Sequence, residues 1–403
     1  MLHLLEVFFL RIYMLIFKGV TAILPFKWPK TFEGADSSLE LVRHISTLGY
    51  NRVLVVTDAV LVKLGMLNKM TAEMDRLGMK YAIYDGVEPN PTVAQIDAGY
   101  EVLAKNKSEV ILAVGGGSPI DAAKMIGARA KNNKPIVKMT GLFRVYRGML
   151  PLFAVPTTAG TGSEVTIAAV VSDPATRRKL PAMDLKLMPT AAALDSALMV
   201  GLPAHITSAT GMDALTHAVE AFISNNAMAK TDAKAIEATK LIMSNLETAV
   251  FNGSDLTARQ NMARASHLAG IAFTQAGVGY VHAIAHKFGA LYHTPHGLAN
   301  AIVMPYVLDY SVNNCAGRLA ILARECKIGP VGGSDQDLAL AFIQRIRDMN
   351  EKFGIPKQLA ALKSEDIPEV AKSALNEARF TYAVPRYMDM NQAQTLIKQL
   401  LPA

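Results

Sequence analysis

Val110-Ile-Leu-Ala-Val114-Gly-Gly-Gly-Ser118-Pro-Ile-Asp121 contains the fold in miniature. Five apolar residues, most of them β-branched, read as a buried strand. Three glycines then turn the chain. Ser118 suits an N-cap, Pro119 the first helical position and Asp121 the acid of a capping box, so a helix follows. The same strand-then-helix alternation extends outward. Arg52-Val-Leu-Val-Val-Thr57, Tyr81-Ala-Ile-Tyr84 and Leu152-Phe-Ala-Val155 are short strands between amphipathic stretches such as Ser38–Leu48, which Gly49 closes. Alternation of this kind predicts an α/β domain over residues 31–203, a parallel sheet with helices on both faces. Val165–Asp173 followed by Arg178–Asp184 reads as a hairpin inserted into it.

After Leu202-Pro203 the strand pattern stops. Asp232–Val250, Leu256–Phe273 and Asp337–Phe353 carry helical periodicity, so residues 204–403 are expected to form an all-helical domain. A chain of 403 residues exceeds the usual size of a single core. Its 51% hydrophobic and 19% charged residues exclude general disorder. The net charge of +7 is spread out, with Arg177-Arg178-Lys179 the densest run, and no aromatic-interleaved basic stripe indicates nucleic acid. Cys315 and Cys326, with no CxxC, exclude a disulfide framework and suit the reducing cytoplasm. Residues 1–30 form an apolar extension. Met1–Phe17 is interrupted only by His3, Glu6 and Arg11, too short and too centrally charged to span a bilayer. Early positive charge and a clear cleavage site are missing too. A helix in a subunit contact, an interfacial membrane helix and a targeting segment are the three uses it suggests.

Chemistry concentrates in four places. Gly116, Gly117 and Ser118, at the strand-to-helix turn, suit a pyrophosphate cradle, since bare backbone and a helix N-terminus both favour an anion. Pro156-Thr157-Thr158-Ala-Gly-Thr-Gly-Ser-Glu164 is a second small-residue loop after a strand. Paired loops at strand carboxyl ends are where open α/β sheets bind nucleotides. Asp58 ends a strand where a carboxylate can hold a ribose and repel a 2′-phosphate, or merely cap a helix. Finally, seven of the nine histidines lie between His205 and His296. Asp213 and His217, like His282 and His286, are spaced by one helical turn, which suits a divalent metal. Spacing alone leaves His286, His293 and His296 open for the last ligand position.

Taken together, Asp85-Gly-Val-Glu-Pro-Asn90-Pro-Thr, GGGSPID, PTTAGTGSE, GMDALTH and GYVHAIAH-(x9)-HG resemble the iron-containing (group III) alcohol dehydrogenases. The likeness is nearest the lactaldehyde reductase (1,2-propanediol oxidoreductase) branch and runs from about Phe32 into the final third. It implies a dehydroquinate synthase-like architecture and metal ligation by Asp213, His217, His282 and His296, with His286 adjacent but not ligating. It also implies nucleotide contacts from Asp58, Asn90, Gly117, Ser118, Asp121, Thr157, Thr158, Val170 and Lys179, with NAD preferred over NADP. The first thirty residues exceed the family pattern.

The expected reaction is hydride exchange between a small or medium primary alcohol, or its aldehyde, and NAD(H), with the metal as Lewis acid. The resemblance implies Fe²⁺, although nitrogen and oxygen donors also fit Zn²⁺, which the Irving–Williams order favours. His286 is the candidate proton relay, or else an orienter of its neighbours. A homodimer is the family's usual assembly. Two rivals stand beside this reading. One is a lyase or phosphorylated-polyol dehydrogenase of the dehydroquinate synthase or glycerol-1-phosphate dehydrogenase type, and the other is a non-catalytic NAD or metal sensor.

Overall fold

The computed structural model describes residues 2–173 and 178–402. The chain divides into two units. One comprises Met1–Pro25, Pro203–Asn252 and Leu268–Ala403, the other Phe26–Leu202 and Gly253–His267. The apolar extension forms α1 (Leu2–Ile23), which belongs to the first of these.

The second unit is built on strands β1 (Lys30–Glu33), β2 (Arg52–Val56), β3 (Lys80–Tyr84), β4 (Val110–Gly115), β5 (Gly141–Leu142), β6 (Leu152–Pro156), β7 (Ala168–Asp173), β8 (Arg178–Met183) and β9 (Ala191–Leu194). Six of them form a sheet in the order β1-β9-β6-β4-β2-β3, and every pairing is parallel. Successive strand residues face opposite ways, and each face has its own core. Leu54, Val56, Ile111, Ala113, Leu152 and Ala154 pack beneath α5 (Val93–Asn106) and α6 (Gly117–Lys131), through Ile96, Leu103, Ile120 and Ile126. Val53, Val55, Leu112, Val114, Phe153 and Val155 pack beneath α2 (Ser37–Thr47) and α4 (Asn68–Arg76), through Leu41, Ile45, Met70 and Met74. Burial on both faces explains why these strands read as continuous apolar runs.

The inserted hairpin is β7 paired antiparallel with β8, and β5 joins β8 to make a three-stranded sheet. Residues 174–177 between them, including Arg177 of the basic run, lie outside the described residues. A short helix α3 (Ala59–Lys63) follows β2.

One local expectation is corrected. Ser118 does not cap α6: the helix begins two residues earlier than expected, at Gly117, with Gly116 as N-cap and no side-chain cap. Asp121 does not reach back, because its buried carboxylate accepts a hydrogen bond from Val170 N at 2.9 Å. Ser118 Oγ instead accepts one from Asn90 N at 3.3 Å.

The remaining elements are helices: α7 (Ala204–Ile223), α8 (Ala229–Phe251), α9 (Leu256–Ala276), α10 (Tyr280–Tyr292), α11 (His296–Glu325), α12 (Asp335–Lys352), α13 (Ile367–Arg379) and α14 (Met390–Lys398). The division between units falls within α9. From Gly211 to Ile223 every residue of α7 is buried, which marks it as a central helix of its unit rather than a surface one.

Candidate active site

Helix α7 presents Asp213, His217 and Glu220 four and three residues apart, hence on one face. Across from it, α10 supplies His282 in its first turn, and α11 starts at His296. One donor atom from each of Asp213, His217, His282 and His296 lies within 4.8 Å of the others. His296 Nε2 is 3.6 Å and His282 Nε2 is 3.9 Å from Asp213 Oδ1. Donors each about 2.0–2.2 Å from a shared cation stand at separations of this order. Among the described residues, these four are the group of potential ligands that converges this way.

Two side chains that spacing did not single out hold the cluster. Glu220 Oε2 accepts from Gly279 N at 2.8 Å and from His282 Nδ1 at 2.6 Å, while Oε1 accepts from Val281 N at 2.8 Å. It therefore closes the N-terminus of α10 and binds the ligand histidine at once. Burial raises the Glu220 carboxyl, and the three N–H donors oppose that rise. Asn300, one turn after His296, places Nδ2 at 2.7 Å from Asp213 Oδ1 and 3.2 Å from both His282 Nε2 and His296 Nε2. Asp213 Oδ1 and the two imidazole nitrogens thus turn their lone pairs toward one common donor. The buried Oδ1 of Asn300 finds no hydrogen-bond partner. His282 is pushed well below the usual imidazole value by burial first, then by His217, His296 and His286, so it offers a neutral lone pair.

Phe273 stacks on His217 at 4.2 Å and 18°, walling that side of the cluster with apolar surface. Gly297 lets α11 touch α7: a Cβ there would fall 2.3 Å from Ala209 O and 3.3 Å from Asp213 Cβ. His286 stacks on His296 at 5.2 Å, outside the converging set, and its Nδ1 meets Glu377 Oε1 at 2.7 Å. That oxygen also accepts from Tyr382 Oη at 2.7 Å. Burial lifts Glu377, but His286 and Tyr382 outweigh it and hold the carboxyl below its ordinary value. His293, the third open candidate, is an exposed C-cap of α10 at φ 54°. His267 is engaged elsewhere, with Nδ1 3.1 Å from Glu164 Oε1.

The nucleotide candidates gather in the α/β unit. After β3 reaches the sheet edge, the chain returns to place β4 on the other side of β2, creating a switch point between β2 and β4. Asp58 follows β2, the Gly116–Ser118 turn follows β4, and Thr157 and Thr158 follow β6. With no side chain capping α6, the N–H groups of its first turn remain available to an anion. A Cβ on Gly117 would sit 3.0 Å from Thr161 Cγ2, so the β4 and β6 loops approach through a missing side chain. Asn90 reaches this turn through Ser118. Val170 and Lys179 lie on the hairpin. Lys124, one turn after Asp121, ties that hairpin to α6 by donating to Thr166 O at 2.8 Å and Ala168 O at 2.7 Å. Asp58 Oδ1 accepts from Val60 N and Leu61 N, both at 3.0 Å, so it caps α3 while leaving Oδ2 out of the cap.

Residues 29–196 match the family model described as iron-containing alcohol dehydrogenase, and residues 207–401 match that of the Fe-containing alcohol dehydrogenase family, C-terminal. The lactaldehyde reductase of Escherichia coli is 38% identical over 341 residues, 84% of this chain and 89% of that protein. The NAD-dependent methanol dehydrogenase of Bacillus methanolicus is 37% identical over 375 residues, 93% and 98% of the two chains. A crystal structure of a 1,3-propanediol oxidoreductase superposes with a TM-score of 0.90 at 38% identity, covering 94% of this chain and 100% of that one. On this evidence the chain belongs to the iron-containing alcohol dehydrogenase family.

Proposed function

We propose that this oxidoreductase exchanges hydride between a small, neutral primary alcohol, or its aldehyde, and NAD(H), using a divalent metal held by Asp213, His217, His282 and His296. The convergence of one carboxylate oxygen and three imidazole nitrogens carries this reading. When bound, such a metal supplies Lewis acidity toward a substrate oxygen. Iron is the assignment that follows the family; the donor set accepts zinc as well.

The chain's own groups supply the rest. Glu220 and Asn300 orient the ligands. Phe273 keeps water from His217. His286 commits Nδ1 to Glu377, leaving Nε2 as the atom to which we assign the alcohol's proton. The dinucleotide is held by Asn90, Gly116, Gly117, Ser118, Asp121, Thr157, Thr158, Val170 and Lys179, and the charge of Asp58 favours NAD, the cofactor in the name of the methanol dehydrogenase relative. A homodimer in the cytoplasm is the setting we propose. Cys315 and Cys326 are both free thiols, consistent with that compartment.

A phosphorylated substrate would call for free cations beside the cluster. Lys287 on α10 is instead paired with Glu369 at 2.6 Å, which favours a neutral alcohol. The test is an anaerobic assay of metal-stripped enzyme reloaded with Fe²⁺ or Zn²⁺, offering ethanol, butanol or propane-1,2-diol with NAD and then NADP. Metal-dependent formation of NADH is the expected result. Binding of NAD without turnover of any alcohol would favour the sensor, and activity only on phosphorylated polyols would favour the other rival.

A further inference from the structure

Helix α1 is amphipathic in reverse. At 100° per residue, Leu10, Met14 and Thr21 fall on one narrow stripe, only 5%, 3% and 6% exposed. Lys18 anchors the same side by donating to Asn225 O at 3.0 Å. The outward arc carries Phe8, Phe9, Ile12, Leu15, Ile16, Val20 and Ile23, whose exposures run from 42% for Ile12 to 82% for Ile23. Tyr13 and the exposed Phe380 meet edge to face at 5.6 Å and continue this surface onto the end of α13. A surface helix ordinarily turns its charged residues to water. Here the apolar residues face out, in a continuous band of the kind that marks an interaction surface.

Charge identifies the occupant. Arg11 and Lys18 are the charged residues of α1 after Glu6. Beneath the helix, Val7 and Leu10 line a cavity of about 270 Å³ together with Lys372, Arg379 and Asp389. Together α1 and this cavity contribute four cations, Arg11, Lys18, Lys372 and Arg379, against two carboxylates, Glu6 and Asp389. A two-fold pairing of two such faces would bring like cations together. An anionic surface neutralises them. The inward stripe also runs along the length of α1, so the helix lies flat against its unit and cannot stand across a bilayer. Among the described residues, no single helix is long and apolar enough to cross one.

We propose that α1 is an in-plane anchor that sinks Phe8, Phe9, Ile12, Leu15 and Ile16 into the headgroup–acyl boundary of an anionic bilayer, with Arg11, Lys372 and Arg379 at the phosphate level. This surface is independent of the reaction assigned to the metal cluster.

The experiment sediments the full chain with vesicles of phosphatidylcholine alone, or of phosphatidylcholine mixed with phosphatidylglycerol, at low and high salt. Wild type pellets with the mixed vesicles, and partitioning falls about tenfold on removing the anionic lipid or raising the salt. The variant Phe8→Glu/Ile12→Glu/Ile16→Glu alters only exposed side chains. It stays in the supernatant while its melting temperature and metal content match wild type. Vesicle binding that survives the triple substitution overturns the proposal. So does a wild type that ignores both vesicle types but forms a larger oligomer than the triple variant, since a second copy then covers the face.

Discussion

Glu220 binds the Nδ1 hydrogen of His282 at 2.6 Å from a position seven residues beyond Asp213 on the same helix. One carboxylate thus ties the helix of two candidate ligands to the helix of a third. Its other partners, Gly279 N and Val281 N, can only donate. The carboxylate therefore selects the His282 tautomer that carries hydrogen on Nδ1 and keeps the Nε2 lone pair free for a metal. Glu220→Gln turns an amide N–H toward that group of donors and allows the opposite tautomer. Metal affinity should fall about ten- to a hundredfold, measured by chelator competition, with the metal-free protein still folded by circular dichroism. Unchanged affinity would remove Glu220 from the centre.

His217 lies between Phe273 and His282, with ring centroids at 4.2 Å and 4.5 Å. His217→Ala removes one donor and opens a void beside the others. We expect loss of both metal retention and turnover, read by elemental analysis of purified protein alongside the alcohol assay. Full activity in metal-free buffer would refute the ligand assignment.

Asp58 caps α3 with one oxygen and keeps its charge for whatever sits at the end of β2. Asn is as good an N-cap, so Asp58→Asn separates cap from charge. The ratio of kcat/KM for NADP to that for NAD should rise by about tenfold, with little change in melting temperature. An unchanged ratio would leave Asp58 as a cap alone.

Glu73 is held by Arg76 at 2.8 Å and by Arg43 at 2.5 Å. Those two guanidinium groups, Arg76 foremost, draw its carboxyl from the ordinary 4.5 down to about 2. A depressed carboxyl stabilises the fold above its unfolded value and loses that contribution as pH falls toward the folded one. Melting temperature should therefore decline through this acid window in wild type and decline less steeply in Glu73→Gln. Parallel curves for the two proteins would contradict the assignment.

Where apolar runs are β-branched and flanked by helical patterns, as in β2 and β4, the sheet was legible from composition. Strand β9 was not. Ala191-Ala-Ala-Leu194 has helix-forming composition, yet all four residues are buried in a strand that pairs with both β1 and β6, so tertiary context overrides local propensity. Helix α6 starts two residues before the position that local capping predicts, because a tertiary bond to Val170 takes Asp121 out of that capping. At the candidate centre, Asp213 and His217 announce themselves by one-turn spacing. Glu220 and Asn300 share the same helical register and would have been found by continuing it another turn. Glu377 is 91 residues from His286, and no local pattern connects them. The choice of His296 over His286 depends on how α10 and α11 meet, which spacing along one helix does not encode.

Because Gly297 brings α11 into backbone contact with Ala209 of α7, the approach of His296 to Asp213 is limited by main chain and not by a compressible side chain. Such a stop acts in one direction. The cage can loosen by letting α11 retreat, but it cannot shrink, so a cation too small for the pocket must draw in side-chain rotamers instead of helices.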